Sequence, residues 1–162
     1  MRIIIPRAMG RILLASMLVL TAAAVTGAGQ SKPVAVDSNH IAIRGYDPVA
    51  YFTDGRAIKG TSEFEYVFAD AKWQFASAAH REMFVADPEH YMPQYGGFCA
   101  GGTVFGALAP ADPQAWMIVN GKLYMLASKK ALNEWKASSA ENIRQANAQW
   151  TAMQQRQSPQ HQ

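Results

Sequence analysis

The chain has 162 residues, of which 15 are Lys or Arg, 12 are Asp or Glu, and one is Cys. Arg2, Arg7 and Arg11 sit in the first 28 residues, so residues 29–162 carry 12 charges of each sign and no net charge. The basic pI of about 9.1 is therefore no nucleic-acid footprint, and a single cysteine excludes an internal disulfide.

The three arginines precede an apolar run of 14 residues, Ile12 to Val25, closed by the small residues Thr26-Gly27-Ala28. A charged start, an apolar middle and a small-residue end predict a secretory signal peptide over residues 1–28. The run is shorter than the roughly 20 residues that a spanning helix needs. The expectation is a periplasmic or secreted protein with no stable membrane insertion once the leader is cleaved. About 134 residues remain, enough for one domain with its own core.

Residues 29–39 are polar and read as a linker into a domain spanning 40–153. His40 to Arg44 alternates weakly and reads as a short strand ended by Gly45. Asp47-Pro48 is a turn signal before the apolar run Val49-Ala50-Tyr51-Phe52, and residues 53–62 read as a surface loop. Phe64 to Phe68 is β-forming by residue type and pairs with Lys72 to Ala76 across Ala69-Asp70-Ala71. Ser77 caps a helix that carries Ala79, His80, Met83 and Phe84 on one face, and Asp87-Pro88 ends it.

Asn120-Gly121 marks a second hairpin, Trp116 to Val119 with Lys122 to Leu126. Ser128 then caps a helix over Lys129 to Lys136. Ser138 and Glu141 form a capping box before a terminal helix with the apolar stripe Ile143, Ala146, Trp150 and Met153. Residues 154–162 read as a disordered tail. The two halves look alike: hairpin, Ala76-Ser77 and a helix to Phe84, then hairpin, Ala127-Ser128 and a helix to Trp135. The expected fold is α+β, a small antiparallel sheet of two hairpins, each followed by a helix, plus a docked C-terminal helix.

Several of these pieces occur in a telling order. They are Gly45-Tyr46-Asp47-Pro48-Val49-Ala50-Tyr51-Phe52, Trp73-Gln74-Phe75-Ala76-Ser77, Phe84, Asp87-Pro88, Tyr91, and Tyr95-Gly96-Gly97-Phe98-Cys99-Ala100. Together they resemble the YHS domain family, in particular its exported bacterial single-domain members, over about residues 41–150. Related domains attached to metal-transport ATPases carry Asp-Pro-Val-Cys-Gly-Met and later Phe-Cys-Ser-x-x-Cys, and the resemblance implies soft or heavy metals as ligands of those cysteines. Their positions fall on Ala50, Ala76 and His80. The thiol set is gone here and one imidazole stands within it, so the fold carries over better than the metal function.

Cys99 and His80 are the candidate metal ligands, because thiolate and imidazole suit a soft ion such as Cu(I). The plainer alternatives are a core histidine bonded to a backbone carbonyl and a cysteine acting as a small hydrophobe. Gly96-Gly97 and Gly101-Gly102 bracket Cys99 and leave bare backbone that a ligand or second chain can approach. No Lys or Arg lies near Cys99 in sequence to activate its thiol. Tyr46, Tyr51, Tyr91 and Tyr95, with Gly96 and Gly97, are candidate ligand-binding residues; the alternative is buried rings with hydroxyls at the surface.

Met92 is a possible thioether ligand, and His40 and His90 are weaker candidates. No catalytic triad or paired carboxylates stand out, and Gly101-Gly102-Thr103 lacks the lysine and following helix of a phosphate loop. Three functions remain open. One is an exported domain that binds or handles a soft metal such as Cu(I) through Cys99 and His80. The second is a metal-free binding module for a small molecule or protein partner. The third is a single-thiol redox protein.

Overall fold

The computed structural model describes residues 32–157. The leader expected over residues 1–28 and the last residues of the expected tail lie outside them. The first half contains α1 (Ala50–Thr53), the hairpin β1 (Thr61–Phe68) and β2 (Ala71–Phe75), α2 (Ala78–Ala86) and α3 (Pro88–Tyr91). The second contains α4 (Ala100–Val104), the hairpin β3 (Asp112–Val119) and β4 (Lys122–Leu126), and α5 (Lys129–Lys136). A long helix, α6 (Ser139–Gln157), follows. The fold is α+β, and the two hairpins share no ladder: each is a two-stranded antiparallel sheet of its own. Among the described residues no helix is long and apolar enough to cross a membrane.

The first hairpin recurs 51 residues later in the chain. β1 pairs Thr61 with Phe75, slips, and resumes at Glu65 with Gln74. β3 pairs Asp112 with Leu126, slips, and resumes at Trp116 with Met125. The turns Ala69-Asp70 (φ 52 and 58) and Asn120-Gly121 (φ 50 and 71) are both left-handed at two successive residues, the geometry that matches strand twist in a tight hairpin. Ser77 and Ser128 cap the next helices, accepting from His80 N at 3.2 Å and Ala131 N at 3.1 Å.

The likeness extends upstream. Arg44 (φ 55, ψ 29) and Tyr95 (φ 56, ψ 32) occupy the same left-handed basin. α1 and α4 begin at Ala50 and Ala100, and left-handed Gly55 and Gly106 follow them. An irregularity shared at the same place in both ladders marks one unit used twice, because such slips are specific features of a backbone rather than defects.

Two apolar clusters form, and the first draws on both units, with Leu123 and Met125 of β4 joining Trp73, Phe75 and Phe84. In the first, Phe84 is the buried residue of α2, and its ring lies 5.2 Å from those of Trp73 and Phe75. Ala79 and Met83, expected on the same buried face, are exposed. The second cluster joins Tyr95, Cys99, Tyr124, Leu126, Leu132 and Trp135 to Ala146 of α6. That helix docks as expected, with Tyr95 Oη donating to Asn147 Oδ1 at 3.0 Å.

Local expectations change where backbone pairing, not side-chain pattern, decides. The supposed linker is knitted into the fold: Ala35 N donates to Gly96 O at 2.8 Å, Ile43 N to Ala35 O at 3.1 Å, and Val36 bridges Ala42. Residues 40–44 make isolated bridges and a 3-10 turn rather than a strand. The expected loop 53–62 gives its last two residues to β1. Pro88 ends α2 but opens α3, where a first-position proline loses no bond and Asp87 Oδ1 accepts from His90 N at 3.2 Å. Gly101-Gly102-Thr103 lies inside a helix, α4. Glu141 turns forward to Arg144 Nη2 and Gln145 Nε2, both at 2.6 Å, rather than back as a capping-box partner. α6 runs through Gln157, into the expected tail, since no Gly or Pro interrupts it before Pro159.

Candidate functional site

Asp47 stands at the entry to α1, and none of its surface is exposed. A carboxylate removed from water needs donors, and it has four. Oδ1 accepts from Val49 N at 2.8 Å and Ala50 N at 3.3 Å. Oδ2 accepts from Ala76 N, just past β2, at 2.8 Å and from His80 Nδ1 at 2.6 Å. One side chain thus ties α1, the end of β2 and α2 together. The Ser77 cap fixes the first turn of α2 and with it the place of His80.

Because Nδ1 donates to Asp47, the other ring nitrogen is left for a different partner. His80 Nε2 lies 3.4 Å from Thr53 Oγ1 and 3.6 Å from Asp54 Oδ2. The Thr53 hydroxyl has closer acceptors, Asp54 Oδ2 at 2.7 Å and Val49 O at 3.2 Å. The ring is partly open to solvent, whereas Asp47 behind it is closed off. A backbone carbonyl was the expected partner of a core histidine; here a carboxylate holds the ring. Asp47 reads in the sequence only as a turn former. An Asp ahead of an apolar run is also a capping signal, but its link to a residue 33 positions away has no sequence signature.

Cys99 belongs to other surroundings. It is buried in the second cluster. Its amide donates to Ala109 O at 2.8 Å, and its carbonyl accepts from Thr103 N at 3.1 Å and Thr103 Oγ1 at 3.2 Å. It borders a cleft of about 310 Å³ that no residue of the His80 site lines. Cys99 packs in the second cluster, whereas His80 bonds to Asp47 in the first unit. Among the described residues, no group of three or more His, Cys, Asp or Glu is placed to hold a metal ion. No Lys or Arg lines the cleft.

Tyr51 lies in the first cluster with Tyr46 and Tyr91 packed against it, and Tyr95 lies in the second. Tyr51 is buried, donates to Pro113 O at 3.0 Å, and meets Trp116 edge-on at 5.0 Å. Burial pushes its pKa upward, with smaller contributions from Tyr46, Asp112 and Asp47. Tyr95 is spent on Asn147, and burial raises its pKa too. Tyr46 Oη accepts from Gln114 Nε2 at 3.5 Å, and Tyr91 packs edge-on against Phe52 at 5.5 Å.

The glycines before Cys99 serve the chain itself. A Cβ on Gly96 would come within 2.0 Å of Pro33 O, and one on Gly97 within 2.6 Å of Ile43 Cγ2. The residue 33–43 segment approaches this bare backbone, and Gly97 also lines a cavity of about 270 Å³. Met92 packs on the first cluster, His90 is exposed beside the Phe52 ring at 5.0 Å, and the His40 carbonyl accepts from Lys72 N at 2.8 Å. No family model matches this chain, and neither does any curated protein or solved structure compared with it.

Proposed function

We propose that this is an exported YHS-like domain that binds a divalent transition-metal ion at His80, with Asp54 as the second protein ligand. The observation that carries the reading is the 2.6 Å bond from His80 Nδ1 to the buried Asp47 carboxylate. Histidines that bind metals commonly donate their other N–H to a carboxylate, which fixes the ring and raises its basicity. Here that arrangement leaves Nε2 facing Asp54 Oδ2 at 3.6 Å. Two donor atoms each about 2.1 Å from one tetrahedral ion stand about 3.4 Å apart, so little movement is needed.

The resemblance gives this place independent support. The three positions at which related domains carry cysteines, Ala50, Ala76 and His80, all meet Asp47. With alanine at two of them, the thiolates that a Cu(I) site wants are missing, and Cys99 belongs to a different cluster. An imidazole with a carboxylate suits Zn²⁺ or Cu²⁺ better than Cu(I). Two protein ligands leave open positions and favour exchange over retention.

Calorimetric titration of the untagged, exported protein with Zn²⁺ and with Cu²⁺ tests this. The expected result is one site, lost in His80→Gln, weakened roughly tenfold or more in Asp54→Asn, and untouched in Cys99→Ser. Binding that survives His80→Gln, or that disappears with Cys99→Ser, rejects it. His80 is then a structural tie between α1 and α2.

A further inference from the structure

The repeated unit gives residues on and around the His80 site counterparts 51 positions on. His80 corresponds to Ala131, Thr53 to Val104, Asp54 to Phe105, Phe75 to Leu126 and Phe84 to Trp135. All five counterparts border the cleft beside Cys99. Where the first unit places an imidazole and its oxygen partners, the second has a methyl group and apolar walls. The cleft of about 310 Å³ opens at the position His80 fills in the other unit.

We infer that this cleft is a second binding site, independent of the metal reading, for a small, flat, neutral molecule. Its size matches the lower end of small-molecule pockets, roughly 300–1,000 Å³, and like them it is mostly apolar with few polar groups. Trp135 is only 4 % exposed, and its indole Nε1 is buried without an acceptor. The apolar ring of Trp135 is therefore what this wall offers to a ligand. Phe105, the counterpart of Asp54, is 86 % exposed, so its ring contributes nothing to the core. At the edge of the cleft it is free to close over a flat ligand. Glu134 is the one charged residue in the lining, so an anionic ligand is disfavoured.

The test uses the untagged protein and 6-propionyl-2-(dimethylamino)naphthalene, a neutral fluorophore with a single ketone oxygen. The expected result is saturable binding with blue-shifted emission. Ala131→His, which restores to the second unit the side chain that fills the first, lowers the affinity at least tenfold. Phe105→Ser alters an exposed side chain and leaves the melting temperature unchanged, yet weakens binding severalfold. Absence of saturable binding overturns the inference. So does equal affinity in wild type and Phe105→Ser, a comparison that stands even if Ala131→His fails to fold.

Discussion

A fully buried carboxylate is stable only where its partners replace the water it has lost. Asp47 meets that condition through three backbone amides and one imidazole, drawn from three elements. Asp47→Ala strands those donors at once and should cost about 3–5 kcal/mol, as breaking a buried pair does. His80→Ala leaves the three amides in place and should cost only about 1–3 kcal/mol. Asp54 is at the surface, and Asp54→Asn should stay within about 0.5 kcal/mol of wild type. Urea unfolding of the three variants measures the order. An Asp47→Ala protein as stable as Asp54→Asn would remove Asp47 from the centre of the site. The same ranking separates fold from function, because metal binding should fall in Asp54→Asn while stability does not.

The hairpins show at the level of elements which parts of the fold can be read from sequence. Asn120-Gly121 announces its turn because those two residue types accept left-handed backbone cheaply. Ala69-Asp70 adopts the same turn without that signal, since the ladder on either side demands it and alanine bears the strain. Ala69→Asn, which makes the first turn resemble the second, should therefore stabilise the domain by about 0.5–1 kcal/mol. Gly121→Val should destabilise it by about 1–2 kcal/mol. No atom lies within 4 Å of a Cβ built on Gly121, so any loss comes from the backbone alone. Thermal melts of both variants check the pair, and shifts in the same direction would contradict it. Ser77 and Ser128 are legible for a similar reason, as local caps for local helices. α4 is hidden by its two glycines and α3 by its proline. The pairing of residues 33–36 with Gly96 and Ala42 uses only main-chain groups, which carry no residue-type signal. At the site, the sequence points to His80 but not to Asp47 or Asp54, and it links Cys99 to a ring that lies in the other unit.

At the scale of the molecule, two tyrosine hydroxyls reinforce the joints between the parts, beside the apolar cluster that Leu123 and Met125 of β4 share with the first unit. Tyr51 of the first unit donates to Pro113 O in β3 of the second, and Tyr95 of the second donates to Asn147 of α6. Burial raises both pKa values well above the ordinary 10.0. The folded protein therefore keeps both phenols protonated at a pH where the unfolded chain has begun to lose those protons. Their contribution is complete below about pH 10 and falls as pH rises from there toward the folded-state values. For Tyr51, the more deeply buried phenol, the slope should approach about 1.4 kcal/mol per pH unit. Guanidinium unfolding between pH 8 and about 11.5 measures it. Tyr51→Phe should be about 1 kcal/mol less stable at pH 8, having lost one hydrogen bond, yet should lose less stability than wild type above pH 10. The two curves therefore converge with rising pH. Tyr95→Phe should show the same convergence, through the seam between the second unit and α6. Parallel curves for wild type and both variants would mean that neither phenol holds the units together in its neutral form. The alkaline limit of the fold would then have to arise elsewhere.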